Sequence, residues 1–143
     1  MKELTESRIA VLPREPLFEL LLDVERYPEF VPGYRLAHVL DRGVDWMRVT
    51  QEVGIGRLQS RFDSAVRFAH PEWIEIRTEN GPFKQMSTFW ELEYLERWRT
   101  RVHLKIIYEI RSSSGALLAR PWFNQWRRRV LDAFLRRAAQ VAA

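Results

Sequence analysis

Apolar and polar residues alternate along most of the chain, which indicates strands that each bury one face. Between residues 35 and 110 the alternation has a period of two, and short turns that contain Gly, Pro or Asn interrupt it. An earlier alternation predicts a first strand over residues 3–11. Six more strands are predicted at 36–41, 45–53, 58–68, 73–79, 86–94 and 102–110. One-sided strands joined by short turns favour an antiparallel meander with one face in water.

The end of the chain has a helical pattern instead, between Leu117 and Ala142. From Asn124 onward, residues that favour helices dominate and neither Gly nor Pro interrupts them. If the helix begins at Leu118, one wide apolar face contains Ala119, Trp122, Phe123, Trp126, Val130, Ala133, Phe134 and Val141. Each large aromatic side chain buries about 150–250 Å². The face therefore needs a broad partner, and the sheet is the element that offers one.

Two short helices are expected between the first strand and the meander. Pro13 and Pro16 favour the first turn of a helix that covers about residues 15–23. Pro28 and Pro32 then allow only a short helical turn between them. The predicted order is a strand, two short helices, six strands and a long helix. We therefore expect a single α+β domain over residues 1–143, in which a seven-stranded curved antiparallel sheet wraps around the C-terminal helix.

Composition narrows the class of protein. The chain has 143 residues, of which 46% are hydrophobic and 29% charged, as is typical of one globular domain. Cysteine is absent, which excludes disulfides, thiolate catalysis and cysteine metal ligands. The first residues lack the apolar core of a signal peptide, and no apolar run approaches the ~20 residues needed to cross a bilayer. We expect a cytoplasmic protein that is at most peripheral at the inner membrane.

The positive charge is concentrated on the final helix. The chain has a formal net charge of +4, and the residues from 117 onward contain six arginines and one aspartate, for a net charge of +5. The candidate basic surface consists of Arg127, Arg128, Arg129 and Arg136. One interpretation is a solvated helix face, and the other is a contact with RNA phosphates or an anionic membrane. Arg137 interrupts the apolar face, either because the helix has passed the sheet or because it pairs with a ligand head group or a carboxylate.

Signatures of catalysis are few. The three histidines, His38, His70 and His103, lie on different segments, so a metal site is not expected. Acidic residues fall mainly on the outer strand faces, where nothing tunes them as an acid and a base. A phosphate-binding glycine loop, a nucleophile elbow and a zinc motif are absent from the sequence. We predict a protein that is not an enzyme and that uses no metal or cofactor.

The order of elements resembles the helix-grip fold shared by START-type lipid-transfer domains, Bet v 1-like plant allergens and bacterial polyketide cyclases. Within it, the stretch 23–32, DVERYPEFVP, closely matches a signature of the coenzyme Q-binding family, which also includes bacterial RatA ribosome-association toxins. Further matches follow in the same order at 53–54, 81–83 and 90–92, so that the resemblance covers essentially the whole chain. Ile55 and the Tyr108-Glu109-Ile110 ending depart from the family pattern, and they affect the shape of the ligand wall.

This resemblance implies a hydrophobic cavity between the sheet and the long helix. The candidate ligand-binding residues are Val49, Gln51, Phe62, Ser64, Trp90, Ile106, Tyr108, Trp122 and Trp126. A mostly apolar wall with a few scattered polar groups is typical of binding pockets. The alternative is that the aromatic side chains pack closely and leave no cavity.

The segment over residues 27–34, called the proline-rich segment below, would lie at the mouth of that cavity. Its candidate gate residues are Tyr27, Pro28, Phe30, Pro32 and Tyr34. The alternative interpretation is a rigid corner that closes one end of the core.

Three functions follow from the resemblance. The first hypothesis is a non-catalytic carrier of a polyprenyl quinone or related lipid, which makes transient contact with a membrane or a respiratory complex. The second is a ribosome-associating protein that binds the large subunit and inhibits translation initiation. The third is a polyketide cyclase-like enzyme that uses pocket groups such as Gln51 and Tyr108. DNA is not an expected partner.

Overall fold

The structure is a computed structural model that describes residues 2–55, 58–78, 80–81, 83–111 and 120–142. Side chains are described for these residues except at positions 55, 58, 120–124, 127 and 142. The elements in chain order are β1 (Lys2–Ala10), α1 (Arg14–Leu22), a 3-10 helix (Val24–Glu29), β2 (Tyr34–Arg42), β3 (Trp46–Ile55), β4 (Leu58–Ala69), β5 (Trp73–Thr78), β6 (Phe83–Glu96), β7 (Arg99–Ile110) and α2 (Arg120–Ala142).

All seven strands form one antiparallel sheet in the order β1-β7-β6-β5-β4-β3-β2. Strands β2 to β7 are a meander in which each strand pairs with the next. β1 pairs with β7 at the far edge, because α1 and the 3-10 helix carry the chain across before β2 begins. The predicted α+β architecture, with a sheet around the C-terminal helix, is confirmed.

The two short helices follow from local sequence, with one difference from the prediction. Pro13 precedes the first residue of α1 in an extended conformation, and α1 buries Leu17, Phe18 and Leu21 against the core. The second short helix lies before the expected place, over Val24–Glu29 rather than between the two prolines. Pro28 falls inside this single 3-10 segment, which is short enough to tolerate a residue that removes a backbone donor.

The apolar face of α2 packs against the inner face of the sheet. Trp126, Val130, Ala133 and Phe134 are buried as predicted. Val141 was predicted on the same face but is 64% exposed, because the last turn of α2 is not covered. The predicted start of the helix at residues 117–119 lies outside the described residues. The helix also buries two residues that the predicted face omitted, Leu131 and Ala138.

Leu131 offers a direct test of this packing, since its side chain is fully buried. Leu131→Ala is expected to lower the free energy of unfolding by about 2–5 kcal/mol, because it removes apolar contacts and leaves a cavity. Val141→Ala, on the exposed last turn, is the matched control and should change stability by less than about 0.5 kcal/mol. Chemical denaturation followed by circular dichroism measures both, and equal effects would contradict this packing.

Candidate ligand-binding site

A cavity of about 40 Å³ lies between the inner face of the sheet and α2. It is closed at one side by the proline-rich segment that follows α1. The described residues that line it are Tyr27, Val31, Tyr34, Gln51, Phe62, Ile76, Thr78, Met86, Thr88, Trp90, Trp126, Val130 and Phe134. Most of this wall is apolar, and the polar part is made by hydroxyl groups and one amide.

Several of these polar groups form a hydrogen-bonded chain across neighbouring strands. The Tyr34 hydroxyl donates to Gln51 Oε1 at 2.9 Å, and Gln51 Nε2 donates to Ser64 Oγ at 2.7 Å. Ser64 Oγ lies 3.3 Å from Thr78 Oγ1, as their direct pairing across β4 and β5 requires. The chain therefore runs from the proline-rich segment into the middle of the sheet.

The tyrosines of the site remain protonated at neutral pH. Burial raises the pKa of Tyr34. Burial also raises the pKa of Tyr27. The negative charges of ionised Tyr34 and of Asp23 raise this pKa further, by smaller amounts. The Tyr27 hydroxyl donates to the carbonyl oxygen of Leu21, so it is fixed at the end of α1. Both tyrosines thus act as neutral hydrogen-bonding groups.

A cluster of aromatic rings joins the proline-rich segment to α2. The Phe134 ring lies 5.1 Å from the rings of both Tyr27 and Phe30, and 5.3 Å from Trp90 on the sheet. Edge-to-face contacts of this kind contribute about 0.5–1.5 kcal/mol each beyond the area that they bury. Trp126 Nε1 also donates to the carbonyl oxygen of Pro32 at 3.2 Å. The segment is therefore held over the cavity from two positions on the helix.

Only some of the predicted site residues lie at the cavity. Gln51, Phe62, Trp90 and Trp126 line the cavity, as do the gate candidates Tyr27 and Tyr34, and Ser64 supports Gln51 from behind. Three other ligand-binding candidates, Val49, Ile106 and Tyr108, are buried but are not among the lining residues. Of the other gate candidates, Phe30 packs on Phe134, Pro28 is exposed and Pro32 is half-buried. The side chain of Trp122 lies outside the described residues.

The candidate ligand-binding residues left out several lining residues, although the strand alternation places Ile76 and Thr88 on the same concave face. Ile76, Thr78, Met86 and Thr88 line the cavity from β5 and β6. Their inward positions follow the alternation of period two, which was the signal available. Val31 lies in the proline-rich segment, where no period applies.

A second concavity of about 350 Å³ lies outside this core, between α1, the 3-10 helix and the β2–β3 hairpin. It is larger but open, and its acidic groups already have partners. Glu19 lies 3.1 Å from His70, and Asp23 lies 3.2 Å from Arg26. The inner cavity is the better candidate, because it holds polar groups in apolar surroundings away from water.

The outer face of the sheet carries a serine, a histidine and a glutamate in contact. Ser7 Oγ lies 2.9 Å from His103 Nδ1, and His103 Nε2 lies 3.0 Å from Glu93 Oε1. These residues lie on adjacent strands, are partly or fully exposed, and line neither of the two concavities described above. Such a group lacks the water-excluded setting in which catalytic dipoles are effective. Within the described ranges, no three His, Cys, Asp or Glu side chains are grouped so as to hold a metal ion.

The predicted basic surface is exposed where it is described. Arg128, Arg129 and Arg136 face solvent, and Arg128 Nε lies 3.4 Å from Glu6 on β1. The side chain of Arg127 lies outside the described residues. Arg137 pairs with a carboxylate, since its guanidinium lies 2.6 Å from Glu29. In the part of the chain that the structure describes, no helix is both long and apolar enough to cross a membrane.

A curved sheet that wraps around a long helix, here with a small cavity between them, defines the helix-grip class of fold. The structure of the ZhuI aromatase/cyclase from Streptomyces sp. R1128 superposes on it with a TM-score of 0.89, over 99% of this chain and 96% of that one. The two sequences are 18% identical, so that this likeness shows the fold alone.

The chain belongs to the polyketide cyclase / dehydrase and lipid transport family, whose model matches residues 12–135. The ribosome association toxin RatA of Pseudomonas aeruginosa is 30% identical, over 94% of this chain and 94% of its own length. The mitochondrial coenzyme Q-binding protein COQ10 of Dictyostelium discoideum is 24% identical, over 98% of this chain and 69% of its own length. The resemblance predicted from the DVERYPEFVP stretch is confirmed.

The raised pKa values of Tyr27 and Tyr34 predict how stability depends on pH. A pKa that is raised in the folded protein favours folding below the pKa of the unfolded chain, near 10, and this contribution is lost as pH rises above it. The free energy of unfolding should therefore fall above about pH 10. Tyr34→Phe should reduce the slope of the unfolding free energy against pH by up to about 1.4 kcal/mol per pH unit. The variant lacks the phenol proton that wild-type Tyr34 releases on unfolding above about pH 10.

Urea denaturation at a series of pH values measures this slope. Phe62→Leu is a suitable control, since it disturbs the same cavity without removing a titrating group and should lower stability equally at every pH. A slope that is the same in Tyr34→Phe and in the unchanged protein would contradict the assignment.

Proposed function

We propose that this protein binds a hydrophobic small molecule, a polyprenyl quinone or a related lipid, between the sheet and α2. The observation that carries the proposal is the polar chain of Tyr34, Gln51 and Ser64 beside a mostly apolar cavity. Buried polar networks are costly when they are only partly satisfied, and apolar side chains of similar size serve a core as well. A few polar groups in an apolar wall are instead what a ligand pocket uses to orient its ligand.

Binding at this site requires the cavity to enlarge. Its volume of about 40 Å³ is well below the roughly 300–1,000 Å³ of pockets that hold drug-sized ligands. The gate of Tyr27, Pro28, Phe30, Pro32 and Tyr34 is the segment whose displacement would open it, by separating its rings from Phe134. Each CH₂ group of a buried prenyl tail contributes about 0.8 kcal/mol, which offsets the loss of those ring contacts.

The proposed role is carriage of the ligand and not its conversion. The described polar groups of the cavity are hydroxyls and an amide, and none is a general base at neutral pH. Delivery of a quinone would involve a transient contact with a membrane or a respiratory complex. The structural similarity to an aromatase/cyclase, at 18% sequence identity, is not by itself evidence of catalytic activity in this protein.

Retained ligand and quinone titration test this function. Organic extraction of the purified protein and mass spectrometry should reveal a bound apolar molecule. Titration with short-tail ubiquinone should quench tryptophan fluorescence saturably in the micromolar range, since Trp90 and Trp126 line the cavity. Thr88→Leu adds apolar volume inside the cavity and should weaken binding at least about tenfold.

Thr50→Leu is the matched control for Thr88→Leu, because Thr50 alternates with the buried Val49 and Gln51 and so lies on the outer face of β3. It should leave the titration unchanged. An empty protein that does not respond to quinones would contradict the proposed function.

A second candidate function is association with the ribosome. It is favoured by the similarity to the RatA toxin over nearly the full length of both chains, and by the exposed arginines of α2. Arg128 and Arg129 lie on the opposite side of the helix from the buried Val130 and Phe134. The two functions would then use different faces of the same helix.

Sedimentation with large ribosomal subunits tests the second function. Binding through arginine and phosphate should fall steeply as salt rises. Replacing Arg127, Arg128 and Arg129 with Gln should abolish cosedimentation and leave quinone binding unchanged.

The control carries the same change of charge on the outer face of the sheet, at Arg48, Arg61 and Arg67, which are exposed on β3 and β4. It should sediment like the unchanged protein. Equal loss of both activities in the α2 variant would contradict the separation of the two faces.

A further inference from the structure

We propose that the cavity selects neutral apolar molecules that carry oxygen, and rejects anionic ones such as fatty-acid carboxylates and lipid phosphates. This inference rests on the proposed ligand-binding function and names the class of ligand that the same cavity takes. Its basis is the charge of the wall. Thirteen described residues line the cavity, and all of them are neutral at pH 7.

One charged pair beside the gate residues is already formed within the protein. Arg137 and Glu29 are 2.6 Å apart, and the Arg137 guanidinium lies over the Phe30 ring at 5.2 Å. Neither of the two is among the described lining residues. An anion in the cavity would therefore take Arg137 as a counter-charge only by breaking its pair with Glu29.

The neutral polar groups match a carbonyl, ether or hydroxyl oxygen. The amide nitrogen of Gln51 has two N–H donors, and its contact with Ser64 Oγ uses one of them. The hydroxyls of Thr78 and Thr88 can turn to donate or to accept. One or two hydrogen bonds to a neutral oxygen are thus available without disturbing the chain from Tyr34 to Ser64.

The cost of burial separates the two classes of ligand. A neutral oxygen that exchanges water for one of these donors loses little free energy. A carboxylate keeps its charge in apolar surroundings, with no cation among the described lining residues, and such a burial is far more costly than that of a neutral polar group. The wall therefore discriminates by charge even between molecules of the same shape.

Methyl farnesoate and farnesoate make a matched pair of probes, because they share the chain of three prenyl units and differ in the charge of the head group. Binding of each to the full-length protein at about pH 8 can be measured by tryptophan fluorescence and by equilibrium partition. We expect saturable binding of the ester, and an affinity for the carboxylate that is at least about tenfold weaker.

A variant tests whether the polar chain makes the hydrogen bond to the oxygen of the ligand. Gln51→Met keeps the length of the side chain but removes its N–H donors, and should weaken binding of the ester about tenfold while thermal unfolding stays cooperative. Thr50→Val, on the outer face of the same strand, should leave the affinity unchanged. An ester affinity that is unaltered by Gln51→Met would overturn the role of the polar chain.

The outcomes with the unchanged protein decide the inference, whatever the variant does. Equal affinity for the ester and the carboxylate, or preference for the carboxylate, would overturn the selectivity and leave the ligand-binding function standing. Absence of binding for both probes and for short-tail ubiquinone would overturn the function and the inference together.

Discussion

The packing of Phe134 between the sheet and the proline-rich segment is the contact on which the rest of the structure depends. This one ring on α2 touches Trp90 on β6 and both Tyr27 and Phe30. A curved sheet has an apolar inner face that it cannot cover by itself, and α2 supplies the cover. The same ring then fixes the segment that closes the cavity, so that the core and the mouth share a single hydrophobic contact.

The interior makes opposing demands on this arrangement. Close packing favours stability, and the small cavity shows that most of the space between the sheet and α2 is filled. The polar chain has a cost in stability, because Tyr34, Gln51 and Ser64 occupy positions where apolar side chains would pack without the need for hydrogen-bond partners. Their mutual hydrogen bonds remove most of that cost. The polar groups of the chain are therefore satisfied by one another within a closely packed core.

Much of the fold could be predicted from the sequence, because strands with one wet face have a period that is visible in the chain. The alternation placed Gln51, Phe62 and Trp90 on the inner face, and the structure has them at the cavity. Periodicity does not show where along a strand the helix crosses it. Ile106 and Tyr108 face inward and are buried, yet neither is among the described residues that line the cavity. The same limit applies to Val141, where the pattern continues past the end of the packing.

Opening of the cavity and the surface of α2 are linked by the position of Arg137. It lies three residues after Phe134, on the next turn, so both side chains contact the same segment: Phe134 through the rings of Tyr27 and Phe30, and Arg137 through Glu29. Any movement that takes this segment away from the helix has to separate the rings and break the ion pair. The pair is partly exposed and costs little to break, whereas the rings of Phe134 and Tyr27 are buried. Under the proposed function, burial of an apolar ligand has to compensate mainly for the aromatic contacts, which favours long apolar tails over small head groups alone.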